Sequence, residues 1–213
     1  MKVKGFLDTI KWYDKNSQFY AKSIQHYSSF EELNEFASLL PKKAKVLDAG
    51  CAAGRDAAEL ARRGIEPIGI DLSSNLIKIA KKRYPSIKFV QGNFLKLPFK
   101  NSYFQGVWAH ASLLHLDSVK DVKKALSEFY RVLQKGGIIH VYVKAQTGRK
   151  KYAIVKDKLS KHDRFFQFFK RNELKKLIKN AGFKMIKIEQ YNETEKNPKG
   201  RKEVEWIACL ARK

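Results

Sequence analysis

No segment of the sequence says more about the fold than Val46 to Asp56. It reads VLDAGCAAGRD: a short apolar run, a loop bracketed by Gly50 and Gly54, and then an Ala-rich stretch with a helical pattern. This order predicts a buried strand, a tight loop and a helix N-terminus in direct succession. The free backbone N–H groups of such a helix start favour the electron-rich atoms of a ligand.

A second apolar run ends at Asp71, fifteen residues beyond Asp56. In such a unit, an acidic residue at the end of the second strand binds the ribose hydroxyls of a nucleoside cofactor. The loop with Gly50, Ala52 and Gly54 lacks the G-x-G-x-x-G spacing of NAD-binding loops. The pattern therefore predicts a nucleoside site that is not of the NAD type.

The hydrophobic periodicity predicts an α/β fold with a doubly wound, seven-stranded, mostly parallel sheet. The first five strands alternate with helices and should run parallel through right-handed crossovers. A polar loop joins the last two strands and leaves no room for a crossover helix, so they should form an antiparallel hairpin. Strands are predicted at 45–49, 66–71, 87–91, 104–109, 137–144, 184–190 and 203–211, and helices at 55–64, 74–84, 119–133 and 171–181.

Five segments, in order and spacing, resemble the class I S-adenosylmethionine (SAM)-dependent methyltransferases. They are the glycine loop, IGIDLS at 68–73, FVQGNFLKLPF at 89–99, FQGVWAHASLLHL at 104–116 and FYRVLQKGG at 129–137. The chain looks most like the small branch that includes ubiquinone and menaquinone biosynthesis enzymes. The resemblance implies a Rossmann-like methyltransferase fold with strand order 3-2-1-4-5-7-6 and a reversed seventh strand. It also implies SAM as cofactor and S-adenosylhomocysteine as product.

The same resemblance assigns roles to individual residues. The loop would pass under the methionine part of SAM, Asp71 would accept both ribose hydroxyls, and Leu72 and Phe94 would cover the adenine. Relatives usually have Asp where this chain has Asn93, whose carbonyl oxygen is still able to accept a hydrogen bond from the adenine amino group. The complete set expected to bind the cofactor is Asp48, Gly50, Ala52, Gly54, Asp71, Leu72, Asn93, Phe94 and Ala109.

Three details of this assignment test the local geometry. Ala52 replaces a glycine commonly seen in relatives, and we expect it to need only a negative φ. Residues 1–40 look helical and amphipathic, and the resemblance implies that such a segment covers the cofactor as a lid. Tyr13 and Tyr20 on this lid are candidates for contacts to the amino-acid end of SAM, with plain packing as the alternative.

Chemistry in this superfamily is direct displacement at the sulfonium methyl, so the protein aligns the acceptor and, for some acceptors, removes a proton. His110 directly follows the fourth strand and His115 lies five residues on, where a neutral imidazole suits deprotonation of a hydroxyl or enol. Both are therefore candidate general bases, with packing at a helix start as the alternative for His115. His140 is expected in the core. No third ligand stands near the pair, so no metal is predicted.

Missing motifs narrow the acceptor. The sequence after the fourth strand contains no N/D-P-P-Y, which adenine and glutamine amino methyltransferases use, and no Pro-Cys nucleophile for cytosine C5 chemistry. A small hydroxylated, enolic or amine metabolite is the predicted acceptor, and RNA is the alternative.

The charge bears on that alternative. The net charge is +23, and Lys144 to Lys184 holds 14 basic residues against three acids, with aromatic residues among them. Such a stretch could follow a phosphate backbone and stack bases. Against this, 34 of the 44 cations are lysine, which planar phosphate recognition favours less than arginine. We expect one methyltransferase domain over 1–213, with an acceptor-side basic and aromatic segment at 145–170.

The remaining sequence features concern the cell compartment. No apolar stretch is long enough to span a bilayer, and the N-terminus lacks the apolar core of a signal peptide. Two cysteines, Cys51 and Cys209, are too few for a disulfide framework. These features predict a cytoplasmic enzyme without a membrane span, while the oligomeric state stays open.

Overall fold

A computed structural model describes residues 5–25, 30–156, 162–196 and 200–213. Within these ranges the strands are β1 (Lys45–Ala49), β2 (Glu66–Asp71), β3 (Lys88–Gln91), β4 (Phe104–His110), β5 (Leu133–Lys144), β6 (Tyr152–Val155), β7 (Arg164–Gln167), β8 (Lys184–Asn192) and β9 (Glu205–Arg212). The helices are α1 (Gly5–Lys15), α2 (Ser17–Ser23), α3 (Phe30–Ser38), α4 (Arg55–Arg62), α5 (Ser74–Arg83), α6 (Val119–Val132), α7 (Arg171–Asn180) and α8 (Glu193–Lys196), with a 3₁₀ turn at Leu113–His115.

Seven of these strands form one sheet in the order β3-β2-β1-β4-β5-β9-β8. The pairs from β3 through β5 are parallel, whereas β9 runs antiparallel to both of its neighbours. Counted along this sheet alone, the order is the predicted 3-2-1-4-5-7-6 with the seventh strand reversed. The predicted α/β fold class is confirmed.

The segment between β5 and α7 contains a feature that the periodicity did not predict. There β6 and β7 pair antiparallel in a separate two-stranded sheet, with Ala153 opposite Phe166. Two strands of four residues are too short for a clear period-2 signal, and they are joined partly through residues outside the described ranges. Phe165 and Phe166 of β7 are nonetheless buried, so this small sheet is packed against the main body.

Both faces of the main sheet are covered, as a parallel sheet requires. On one face α6 packs Leu126 and Phe129 against β4 and β5. On the other, Leu33 and Phe36 of α3 join a cluster with Trp108. The segment predicted as a lid at 1–40 therefore has two parts. Helix α3 packs on a face of the main sheet. Helices α1 and α2 both contact α5, and α1 also contacts β7.

Candidate active site

A cavity of about 700 Å³ lies at the carboxyl ends of β1, β2, β4 and β5. In an open parallel sheet this edge is where ligands bind, because the connecting loops diverge there. Helices α1 and α2 form one wall, through side chains such as Tyr13 and Tyr20. Further parts of the lining come from β7, β8 and β9, with Phe166, Tyr191 and Trp206.

The loop after β1 is fastened to the end of β2. The N–H groups of Gly50 and Cys51 donate to the Ile70 carbonyl at 2.8 and 3.0 Å. Gly50 has φ +86°, and a Cβ at this position would lie 2.5 Å from the Ser112 Cβ. Gly50 is thus required both for its left-handed backbone and for space.

Ala52 corrects one expectation from the sequence. Its φ is +47°, so the negative φ expected there is wrong. The Ala52 N–H donates to Asp71 Oδ2 at 2.9 Å, and this contact fixes the turn in the left-handed region. An alanine in this region costs roughly 1–2 kcal/mol, which the charge-assisted hydrogen bond offsets.

Asp71 lines the cavity at the tip of β2, as the pattern predicts. Its Oδ1 accepts from the Ser73 N–H and its Oδ2 from the Ala52 N–H, both at 2.9 Å. Burial raises the pKa of this carboxyl, while the two backbone donors act in the opposite direction. Each oxygen keeps acceptor capacity for a further donor, such as a hydroxyl of a ligand.

Two more acids lie beside the loop in different states. Burial, with the nearby charge of Asp56, raises the pKa of Asp48 well above its usual value. Burial also opposes ionisation of Asp56, but Arg55 and the Trp108 indole, which donate to it at 2.7 and 3.0 Å, hold its pKa low. Among the described residues, Asp48 Oδ2 is buried and has no hydrogen-bond partner.

The other residues expected to contact the cofactor divide into two groups. Gly50, Leu72 and Phe94 line the cavity with the acids. Gly54, Asn93 and Ala109 lie outside its lining: Asn93 Oδ1 accepts from the Leu95 N–H at 2.8 Å, and Ala109 is fully buried in the core.

His115 lies on the cavity wall with both ring nitrogens occupied. Its Nδ1 is 2.8 Å from the Phe165 carbonyl, which only accepts, so Nδ1 carries the proton of the neutral ring. Its Nε2 therefore accepts from the Tyr13 hydroxyl, at 2.9 Å. Burial lowers the His115 pKa to about 4. His115 thus joins α1, the 3₁₀ turn and β7.

His110 also lines the cavity. Its Nδ1 is 3.4 Å from His140 Nε2, and its ring stacks on Tyr142 with centroids 4.2 Å apart. Burial lowers the His110 pKa to about 4, so the ring is neutral at pH 7. His140 is 1% exposed, in the core as expected.

The acid Glu32, from α3, lies in a satisfied network on the cavity wall. Its Oε1 accepts from the Tyr191 hydroxyl at 2.7 Å and from Lys196 Nζ at 2.9 Å. Burial raises the pKa of Glu32, but these two hydrogen bonds overcome it and hold the pKa low. No local sequence pattern predicts this network, because α3, β8 and α8 meet only in the tertiary structure.

Because the folded protein keeps His115 neutral, we predict how the free energy of unfolding depends on pH. Between pH 6.5 and 4 the unfolded chain binds a proton at this histidine that the folded chain does not, so stability falls as the pH falls through this window. The expected loss is about 3 kcal/mol, and His115→Gln should lose that much less. Urea unfolding at pH 7 and 4.5 tests this, and equal pH dependence in both proteins would contradict it. In ¹⁵N spectra, His115 of the parent protein should stay neutral at pH 6.

The described residues form neither a metal site nor a membrane-spanning helix. In the ranges that the structure covers, no three His, Cys, Asp or Glu side chains come together as a metal site would require. Within the same ranges, none of the helices has the length and apolar character needed to cross a membrane.

Comparisons with known proteins agree with the geometry. A sequence profile described as a methyltransferase domain matches residues 47–141. Demethylmenaquinone methyltransferase from Chlorobaculum tepidum is 31% identical over 164 residues, which cover 67% of this chain and 66% of that protein. A sterol 24-C-methyltransferase from Saccharomyces cerevisiae is 28% identical over 208 residues, covering 84% of this chain and 53% of that protein. The chain spans about half to two thirds of the length of these curated relatives.

Solved structures show the same fold. A SAM-dependent methyltransferase from Methanosarcina mazei matches with a TM-score of 0.76 at 20% identity, covering 88% of this chain and 99% of that one. The 1,6-didemethyltoxoflavin-N1-methyltransferase from Burkholderia thailandensis, with bound 1,6-didemethyltoxoflavin and S-adenosylhomocysteine, matches with a TM-score of 0.76 at 18% identity, covering 97% and 88%.

Proposed function

The chain belongs to the class I SAM-dependent methyltransferases, and we propose that it transfers a methyl group from SAM to a small-molecule acceptor. The observation that carries this proposal is the position of the Asp71 carboxylate and the Gly50 loop on the wall of one cavity at the carboxyl edge of the sheet. Bound SAM supplies a methyl group on a cationic sulfur, which leaves as a neutral thioether.

The residues of the cavity fit this cofactor. Asp71 offers acceptor atoms to two ribose hydroxyls, and the apolar side chains of Leu72 and Phe94 suit the adenine. Asp48 Oδ2 and Ser112 Oγ are buried atoms on the cavity wall with no hydrogen-bond partner in the described part of the chain. A buried polar atom without a partner is costly, so these two atoms suit the charged amino-acid end of SAM.

The lid in this proposal is α1 with α2. Asp14 of α1 accepts from the Ser73 hydroxyl at 2.6 Å and from the Asn75 N–H at 3.1 Å, which holds α1 at the N-terminus of α5. Tyr13 and Tyr20 lie on the cavity side of the lid. Opening of this lid would admit SAM, and its closure would exclude water from the methyl transfer.

We propose His110 as the general base, with His115 as a positioning residue. The His110 Nε2 has no hydrogen-bond partner among the described residues, whereas both nitrogens of His115 are occupied. His110→Ala and His110→Gln should each slow transfer about 10²-fold for an acceptor that must lose a proton. Affinity for S-adenosylhomocysteine should stay within about twofold as the control. Unchanged turnover would leave His110 as a wall of the cavity only.

A small acceptor is supported over RNA by the burial of three phenylalanines in the 145–170 segment. Phe165, Phe166 and Phe169 are 4%, 9% and 2% exposed. They are therefore not free to stack bases, which was the second part of the RNA hypothesis. The positive charge and the side chain of Tyr152, which is 48% exposed, still favour that hypothesis. Charge alone gives binding without a specific reaction.

Methyl-labelled SAM added to a cell extract with the purified protein tests this proposal. Label in a low-mass product that survives ribonuclease is the expected result. Label that becomes soluble only after ribonuclease would establish RNA as the acceptor instead.

The proposed location is the cytoplasm, where the free thiols of Cys51 and Cys209 are stable.

A further inference from the structure

Some of the cationic side chains on the cavity wall form ion pairs with acids, and others do not. Three cations are neutralised by acids at short distance: Arg55 by Asp56 at 2.7 Å, Lys196 by Glu32 at 2.9 Å and Arg201 by Glu193 at 2.9 Å. Two further cations on the wall, Lys144 and Arg164, form no ion pair with an acid in the described ranges.

Lys144 and Arg164 both lie against the ring of Phe166. Lys144 Nζ lies 4.3 Å from the centre of the Phe166 ring, and the Arg164 guanidinium lies 5.5 Å from the same ring and 4.0 Å from that of Trp12. Ring faces stabilise cations only weakly. Arg164 also lies close enough to the Tyr13 side chain to interact with its hydroxyl. Arg164 Nε is buried without a hydrogen-bond partner.

The acids that remain lie at the other end of the cavity. Asp48 and Asp71 are at the ends of β1 and β2, while Lys144 ends β5 and Arg164 begins β7. The cavity is therefore polarised: the acids beside the proposed cofactor loop form no ion pair and have raised pKa values, and the unpaired cations lie at the ends of β5 and β7. A charge in such a cavity needs a partner, and here none is present among the described residues.

We infer that the acceptor is a small molecule bearing an oxyanion, a carboxylate or a phosphate ester, which binds between Lys144 and Arg164. This inference rests on the proposed function for its description as the acceptor. The planar guanidinium of Arg164 suits two oxygens of one anion, and Lys144 supplies a compact second charge. The oxyanion fixes the acceptor at one end, so that its nucleophilic atom is presented toward the methyl group.

Isothermal calorimetry with benzoate, phenyl phosphate and the neutral isostere benzamide tests this inference on protein loaded with S-adenosylhomocysteine. At pH 7, at least one anion should bind about 10-fold more tightly than benzamide, and the preferred anion distinguishes carboxylate from phosphate. Lys144→Met should weaken that anion about 10-fold and leave benzamide within twofold. Lys88→Met, which removes an exposed lysine outside the cavity, should bind all three probes as the parent does.

The pH dependence gives an independent readout. Burial and the charges of Arg201 and Arg164 lower the pKa of Lys144 to about 8, against the opposing charge of Glu193. Among the other titratable groups beside these cations, His115 is neutral above pH 5. Burial raises the pKa of Tyr13 well above its usual value, so it stays protonated, and Glu193 is paired with Arg201. Anion affinity should therefore fall as the pH rises above 8 in the parent protein and stay level in Lys144→Met.

The inference fails if neither anion binds more tightly than benzamide, if no probe binds at 10 mM while S-adenosylhomocysteine does, or if Lys144→Met binds the anion as the parent does. Failure of S-adenosylhomocysteine to bind would instead overturn the proposed function. The same titrations on cofactor-free protein then decide the oxyanion site on its own.

Discussion

Asp71→Ala is expected to weaken binding of S-adenosylhomocysteine at least 10²-fold. The carboxylate is the acceptor for two ribose hydroxyls in the proposed complex, and each charge-assisted hydrogen bond contributes about 1.5–3 kcal/mol. The same carboxylate orients the Ala52 and Ser73 N–H groups, so its loss also releases the cofactor loop from β2. Titration calorimetry of the folded variant measures the effect.

Glu66→Ala is the matched control for this variant. Glu66 is an exposed acid that begins the strand whose end is Asp71, so its removal changes the net charge equally without touching the cavity. It should bind S-adenosylhomocysteine as the parent does. Near-parental affinity of Asp71→Ala, with a normal circular dichroism spectrum, would refute the assignment of Asp71 to the ribose.

Gly50→Ala is expected to lower the free energy of unfolding by about 3 kcal/mol. Part of this cost, roughly 1–2 kcal/mol, is the left-handed backbone at φ +86°. The rest arises because the new Cβ would meet the Ser112 Cβ at 2.5 Å, so that the loop or the segment after β4 must move. The cofactor cavity should deform at the same time, and affinity for S-adenosylhomocysteine should fall at least 10-fold.

Gly64→Ala separates these two causes. Gly64 has φ +74°, and a Cβ built on it meets nothing within 4 Å, so only the backbone cost applies. Urea unfolding should show about 1 kcal/mol lost and unchanged cofactor affinity. Equal destabilisation of the two variants would mean that the close approach of Gly50 to Ser112 has no energetic weight.

The sheet and the cofactor end of the site were predictable because their signals are local in sequence. The order of strand, glycine loop and helix predicted the position of Gly50 and its neighbours. The end of the next apolar run predicted the position of Asp71. The alternation of strands and helices, with the short polar connection before the last strand, predicted the parallel strands and the antiparallel hairpin, and the family resemblance implied the strand order. Each of these signals depends on residues close together in the chain.

The acceptor end was not predictable to the same depth. Glu32, Lys144 and Arg164 come from α3, β5 and β7, and only the tertiary packing brings them onto one cavity wall. The prediction of a negative φ at Ala52 was wrong for a related reason. The hydrogen bond to Asp71, nineteen residues away, fixes that turn, and it outweighs the local preference of alanine.

Binding of S-adenosylhomocysteine to the unmodified protein tests the central claim most directly. Calorimetry at two temperatures should show one molecule bound per chain, with an affinity of about 10⁻⁶ M, equivalent to roughly 8 kcal/mol. Two temperatures are needed because burial of apolar surface makes the heat of binding change with temperature. The heat can be zero at one temperature, but it cannot be zero at both. Absence of heat at both temperatures with millimolar ligand would contradict a cofactor site built on Asp71 and the Gly50 loop.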